Sequence, residues 1–301
     1  MKYTKKPLSI PEQVQKLKQR GLIINDEQFA EKTLAQISYY RLRAYTYPFQ
    51  DNKSPDSPFI ETVTFESIID LYRFDQKLRV LIFDAIEKIE IALRTQIIYH
   101  FSLQHGSHWQ TDPHLYRDTS RFAKHLESLN REIERSDETF IKHYKKKYHE
   151  PSQPPSWMSL EVASMGTLSK LYQNVKDGDA KRTVADNFGL IKIGNLENWM
   201  FCFSSARNIC AHHGRLWNRR LSSIIRLPYT TKNAFLNKKE VKAIYTNKLY
   251  ATLLAMSYVL KIVAPSFKFD DKLKQLMTEC PLNQQKAMGF TENWQDHPFW
   301  N

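Results

Sequence analysis

The chain has 301 residues, 42% of them hydrophobic, and carries 44 Lys and Arg against 32 Asp and Glu for a formal net charge of +12. This is enough apolar material to bury a sizeable core and excludes wholesale disorder, while the charge excess points to a polyanionic partner, of which nucleic acid is the commonest. Eight glycines against 17 Phe and 15 Tyr argue against a turn-rich β fold.

Three cysteines, Cys202, Cys210 and Cys280, form no CxxC pair, a count that fits a reducing cytoplasm better than a disulfide scaffold. The basic start, Met1-Lys2-Tyr3-Thr4-Lys5-Lys6-Pro7, leads into no apolar stretch, so no signal peptide is expected. No apolar run approaches the roughly 18 residues of a membrane span. The richest, Leu249 to Val263, contains Lys261 and reads as a buried core helix. The expected location is the cytoplasm, with no membrane partner.

Residues 9 to 47 read as short helices. Ser9 stands before Pro11 and Glu12 as a cap, and Gly21 stops the first helix. Asn25 or Asp26 would cap a second, which carries Phe29, Leu34 and Ile37 and runs into Ser38 to Tyr45. There Tyr39 and Tyr40 read as core aromatics beside a surface pair, Arg41 and Arg43. Two short helices also suggest a helix-turn-helix, the basis of an alternative reading as a DNA-binding regulator.

Residues 50 to 58 form a loop. From Thr64 to about Phe101 there is no Pro or Gly, and Ile68, Leu71, Tyr72, Leu78, Ile82, Ile86, Ile89, Leu93 and Ile97 recur at helical spacing. Opposite charges four apart at Asp75/Arg79, Asp84/Lys88 and Glu90/Arg94 support one long helix. It is ended by His105-Gly106-Ser107-His108.

Residues 118 to 149 read as a second long, polar helix, followed by a Pro-rich break. Ser156 would cap a helix through about Val175, and Asp179 to Phe188 a short one. Gly194 to His213 forms a further helix with Gly214 as its left-handed stop. After an irregular stretch, Glu240 to Val263 reads as the last core helix, stopped by Pro265. The expectation is an all-α fold: an N-terminal helical segment (1–50), a helical domain (59–265) and a C-terminal tail (266–301). No internal repeat is evident.

Arg207-Asn208, then Ala211-His212-His213 and Gly214, place one permanent cation, one amide and two imidazoles at a helix end. Cleaving RNA through its own 2′-OH needs a proton taken from that hydroxyl, a proton given to the leaving 5′ oxygen, and a charge to steady the phosphorane. Histidine suits the proton work and arginine the phosphate oxygens, so neither metal nor other cofactor is called for. A helix C-terminus favours a cationic imidazole.

On a regular helix, however, Arg207 and His212 lie about 140° apart. They flank a groove, unless the helix end distorts or two copies pool their groups across a shared cleft. Two plainer readings compete. Arg207 could pair with a core acid while His212 is a satisfied buried histidine. Alternatively, Cys202, Cys210, His212 and His213 could bind zinc, although Cys-x-His-His sets ligands too close along a helix for a standard tetrahedral site.

Several strings in order carry a resemblance: residues 16–24 (KLKQRGLII), Ile37 to Tyr45 (ISYYRLRAY), Leu71 to Asp75 (LYRFD), Glu87 to Glu90 (EKIE), Pro155 to Met158 with Glu161 and Gly166, and Arg207 to Arg219. Over about residues 8 to 265 the chain resembles the Abi-like family of bacterial phage-defence proteins, the AbiD/AbiF group. That family in turn resembles the HEPN superfamily of all-helical, dimerising ribonucleases.

The resemblance implies a HEPN-like helical bundle, a homodimer, and metal-independent, toxin-like RNA cleavage in abortive infection, restrained by a small RNA or antitoxin until phage arrives. Arg207 matches the motif arginine, Asn208 the polar residue and His212 the histidine, with His213 a second candidate. Superfamily members that have lost catalysis imply an alternative, a non-catalytic module holding a small structured RNA.

Supporting RNA contacts are expected from Arg215, Arg219 and Arg220 after the motif, and from Lys145, Lys146 and Lys147 in the His143–His149 run, where cations alternate with aromatics. Trp217 reads as packing first and base stacking second. Glu87 and Glu90, three apart on a helix, read as a salt-bridging face rather than a catalytic pair.

Overall fold

The computed structural model describes residues 2, 6–280 and 282–301. Among these the chain is all α: fourteen α-helices, a few single 3-10 turns and no strand. It forms two compact units, one extending to Leu78 and the other spanning Arg79–Asn301.

The first unit holds α1 (Ile10–Gln19), α2 (Glu27–Gln36), α3 (Tyr39–Thr46) and the start of α4 (Phe65–His105). Ser9 and Glu12 close a capping box, with the Ser9 N–H donating to the Glu12 carboxylate at 2.6 Å. Asp26, not Asn25, caps α2 by accepting from the Phe29 N–H at 2.9 Å. Val14, Leu17, Ala30, Leu34 and Leu42 are buried where these helices pack. The Tyr45 hydroxyl donates to buried Asp75 at 2.6 Å, tying α3 to α4. Tyr40 corrects the sequence reading: it is 85% exposed and not a core aromatic.

The second unit contains the rest of α4, then α5 (Thr119–Arg135), α6 (Thr139–Lys147), α7 (Ser156–Ser159), α8 (Met165–Asn174), α9 (Asp179–Asn187) and α10 (Ile193–Ala211). After an irregular stretch come α11 (Lys238–Ala243), α12 (Leu249–Val263), α13 (Phe269–Met277) and α14 (Leu282–Ala287). Helix α8 packs on both α5 and α10, and α10 also meets α9 and α12. Every residue of α12 from Leu249 to Leu260 is buried, so this is the central core helix. The two anticipated ion pairs of α4 in this unit, Asp84–Lys88 and Glu90–Arg94, are both formed.

Three expected helices are interrupted. The polar helix expected over 118–149 breaks at Ser136–Glu138, where Ser136 is extended and its hydroxyl accepts from the Glu138 N–H at 3.3 Å. The helix expected from Ser156 to Val175 divides into α7 and α8. Ser164 caps α8 by accepting from the Thr167 N–H, and the Glu132 carboxylate accepts from both the Ser164 N–H (3.0 Å) and its hydroxyl (2.8 Å). The helix expected over 240–263 is two: Ile244 is extended, and the Asn247 carbonyl accepts from the Leu221 N–H at 2.9 Å. In each case side-chain or loop partners take backbone groups that a continuous helix would use.

Lys181 is buried at 1% exposure and bonds the Glu197 carboxylate and the Val175 carbonyl, each at 2.6 Å. Arg117 joins Glu197 from the other side at 3.3 Å. Burial pushes the Lys181 ammonium below its ordinary range, and Glu197 opposes that shift.

The tail folds back as an aromatic cluster. Ring centroids of Tyr250 and Phe290 lie 4.7 Å apart, Phe290 and Trp294 5.0 Å, and Trp294 and Trp300 5.1 Å. Among the described residues no single helix is long and apolar enough to cross a membrane. One pair, α12 with the segment Pro265–Met277, passes by length and composition but is bent by 118°.

Candidate functional site

Helix α10 buries Leu196, Trp199, Met200, Phe203, Ala206 and Cys210. The opposite face carries Phe201, Ser205, Asn208 and His212, spaced four, three and four residues apart and therefore nearly in line. Phe201, Asn208 and His212 are exposed. Asn208 and His212 are thus brought together one turn apart, and the His212 N–H donates to the Asn208 carbonyl at 3.0 Å.

The end of α10 differs from expectation. The helix stops at Ala211 with His212 as its cap, and it is His213, at φ 54°, that turns left-handed rather than Gly214. The His213 N–H donates to the Cys210 carbonyl at 3.0 Å and the Gly214 N–H to the Ile209 carbonyl at 2.8 Å, the paired bonds of a Schellman ending. Gly214 serves close approach instead. A Cβ there would stand 3.3 Å from both the Ile209 carbonyl oxygen and its methyl carbon, and 3.5 Å from the Arg219 guanidinium. Both imidazoles are exposed, so His212 is not a buried histidine.

Arg207 projects elsewhere. It is half-buried, and its guanidinium carbon lies 5.5 Å from the centroid of the Phe83 ring on α4. Among the described residues no carboxylate comes within ion-pair distance of it. The reading in which Arg207 pairs directly with a core acid is therefore not realised. Its nearest acidic influence is Glu90. Burial pushes the Glu90 carboxyl above the ordinary range, against the lowering effects of Arg94 and Arg207. Arg94 bonds Glu90 at 2.7 Å and also donates to the carbonyls of Glu161 and Ala163.

These groups wall a cleft of about 820 Å³ to which Glu90, Arg94, Glu132, Arg135, Glu161 and Arg207 all contribute. His212 and His213 do not line it. Its wall holds five carboxylates against three guanidiniums.

Beyond the helix, Trp217 is fully buried and takes no part in base stacking; the Arg215 guanidinium lies 5.7 Å over its ring. Arg219 and Arg220 are exposed, and Arg219 donates to the Arg215 carbonyl at 3.3 Å. Lys145, Lys146 and Lys147 are exposed at the end of α6 beside the tilted ring pair of Tyr144 and Tyr148, with Lys145 donating to the Ile133 carbonyl at 3.3 Å. Cys202 and Cys210 are buried while the imidazoles are exposed. No group of three His, Cys, Asp or Glu among the described residues could hold a metal ion.

Three residues around Arg207 are not legible in the sequence as its neighbours. Phe83 was signalled only as an aromatic off the buried stripe of α4. Glu90 and Arg94 read only as an i,i+4 pair supporting the long helix, because nothing local says that they share a cleft with Arg207.

The chain matches no curated protein and no solved structure. Residues 32–218, more than half of its length and including all of α10 with Arg207, Asn208, His212 and His213, match the family described as Abi-like protein. An intact Arg-Asn-x-x-x-His helix tip within an all-α chain, inside a match of that extent, settles the classification: the chain belongs to the Abi-like protein family.

Proposed function

We propose that this chain is a metal-independent endoribonuclease of the HEPN type, acting in phage defence by abortive infection. The family assignment supplies the setting, since Abi-like membership points to abortive infection. The observation that carries the chemistry is the tip of α10, where a guanidinium with no carboxylate at ion-pair distance among the described residues and an exposed imidazole come from one helix five residues apart.

In the proposed reaction the substrate 2′-OH attacks the adjacent phosphorus. A histidine accepts the hydroxyl proton, and a protonated histidine delivers one to the departing 5′ oxygen. Arg207 steadies the added negative charge in the phosphorane. The products are a 2′,3′-cyclic phosphate and a 5′-hydroxyl.

Arg207 and His212 lie on different sides of α10, so the reaction calls for a second copy, with the arginine of one meeting the histidine of the other. Exposed Phe201 on α10, and Val80, Phe83 and Ile91 on α4, offer apolar surface for such pairing. A small RNA or antitoxin would restrain the assembly.

That same separation also favours a second reading, a non-catalytic module that binds a structured RNA. Incubating the purified protein with total and phage RNA, with and without EDTA and against His212→Ala, decides between them. Cleavage unaffected by EDTA and absent in the variant supports the nuclease. RNA binding without cleavage supports the module.

A further inference from the structure

The motif loop is met by a cation from a distant part of the chain. The Lys248 ammonium donates to the Asn218 side chain at 3.3 Å and to the Ala287 carbonyl at 2.7 Å. Its stem is fixed from behind by Gly289, whose φ is +91° and where an added Cβ would stand 2.7 Å from the Lys248 Cβ. Backbone bonds from Leu221 to Asn247 and from Ile225 to Thr246 hold the two segments side by side. Arg219 folds back against Gly214, immediately beside His213.

The result is a concentration of positive charge next to the imidazoles. Besides burial, Arg220 and Arg215 both press the Lys248 ammonium below its ordinary range, as like charges in close quarters do. Among the described residues no carboxylate lies within ion-pair distance of Arg219, Arg220 or Lys248. Lys248 is left with one N–H beyond its two neutral acceptors. Clustered cations without a compensating acid among the described residues carry a repulsion that a bound anion relieves.

We infer that Lys248, with Arg219 and Arg220, forms a phosphate grip that holds the RNA backbone beside the scissile linkage. Resting on the nuclease reading, the grip brings residues beyond the family-matched segment, which ends at 218, into substrate binding. It fixes where the strand runs: across the Arg215–Arg220 loop toward α12.

The test uses two probes on the full chain. One is a fluorescent single-stranded RNA, 2′-O-methylated throughout so that it cannot be cleaved, followed by anisotropy over a salt series. The other is inorganic tripolyphosphate, followed as protection against thermal unfolding.

Lys248→Gln and Arg220→Gln are each expected to weaken RNA binding about fivefold at 0.1 M salt and to reduce the log–log salt slope by about 0.7. Each should also abolish protection by tripolyphosphate, while Lys248→Arg retains both. Arg220 is exposed and, among the described residues, has no hydrogen bond or ion pair to lose, so its variant keeps the test decisive if Lys248→Gln fails to fold.

Wild-type affinity and slope in Arg220→Gln and in any folded Lys248→Gln overturn the grip, as does a wild-type protein that binds neither probe. If both probes bind through these cations but natural RNA is not cut, the nuclease reading falls and the grip stands. If RNA is cut and the variants bind normally, the reverse holds.

Discussion

The Arg207 guanidinium rests over the face of Phe83, 5.5 Å from the ring centroid, with no carboxylate within ion-pair distance among the described residues. An aromatic face orients a cation without neutralising it, so the full charge stays available to a phosphate. Phe83→Ala should therefore lower RNA cleavage about fivefold, the equivalent of about 1 kcal/mol of lost orientation, whereas Phe83→Trp should preserve it. Initial-rate assays on one defined RNA make the comparison. Phe83 is 40% exposed, so unchanged thermal unfolding is expected in both variants.

Composite sites permit rescue between two dead chains. Arg207→Ala and His212→Ala should each abolish cleavage and growth toxicity. Mixing and reannealing them should restore about a quarter of wild-type activity, because half of the random dimers are mixed and each carries one intact site. A mixture as inactive as its parents would place both groups within one chain or remove catalysis altogether.

The turn after α10 makes opposite demands on adjacent residues. His213 bears the left-handed backbone, so His213→Gly should stabilise the fold by about 1 kcal/mol in urea unfolding. Gly214 is hemmed in by Ile209, so Gly214→Ala should cost about 1 kcal/mol or more. Cleavage that survives His213→Gly would make His212 the proton carrier.

Glu197→Gln should cost about 1–3 kcal/mol at pH 7, because it removes the nearer carboxylate from the buried Lys181 ammonium and leaves only Asp177, at 3.5 Å, to oppose the charge. The folded-state pKa of Lys181 lies below its unfolded value. Between the two the unfolded chain binds more protons, and stability rises with pH. The gap between variant and wild type should accordingly narrow from pH 7 toward pH 10, as shown by urea midpoints across that range.

Helix existence was largely readable in the sequence and helix continuity was not. The buried stripe of α4 and the Ser9–Glu12 box declare themselves locally. The breaks at 136–138 and 244–248 contain no Pro or Gly, and are set by partners such as Asn247 meeting Leu221. The catalytic candidates were legible as residue types, because a cation and imidazoles at a helix end are unusual together. Their surroundings were not: Phe83 and Lys248 reach the motif across more than a hundred residues and about thirty residues respectively. The left-handed residue was assigned one position late, since glycine is the ordinary occupant and here it is needed for space.

The packed tail also equips the protein with its own optical reporter. Trp294 and Trp300, nearly perpendicular at 80° and hydrogen-bonded to Gln285 and Tyr250, form an indole pair close enough for their excited states to mix. Detachment of the segment that backs Lys248 would separate them. It would register as loss of a near-ultraviolet circular dichroism band before any helix melts.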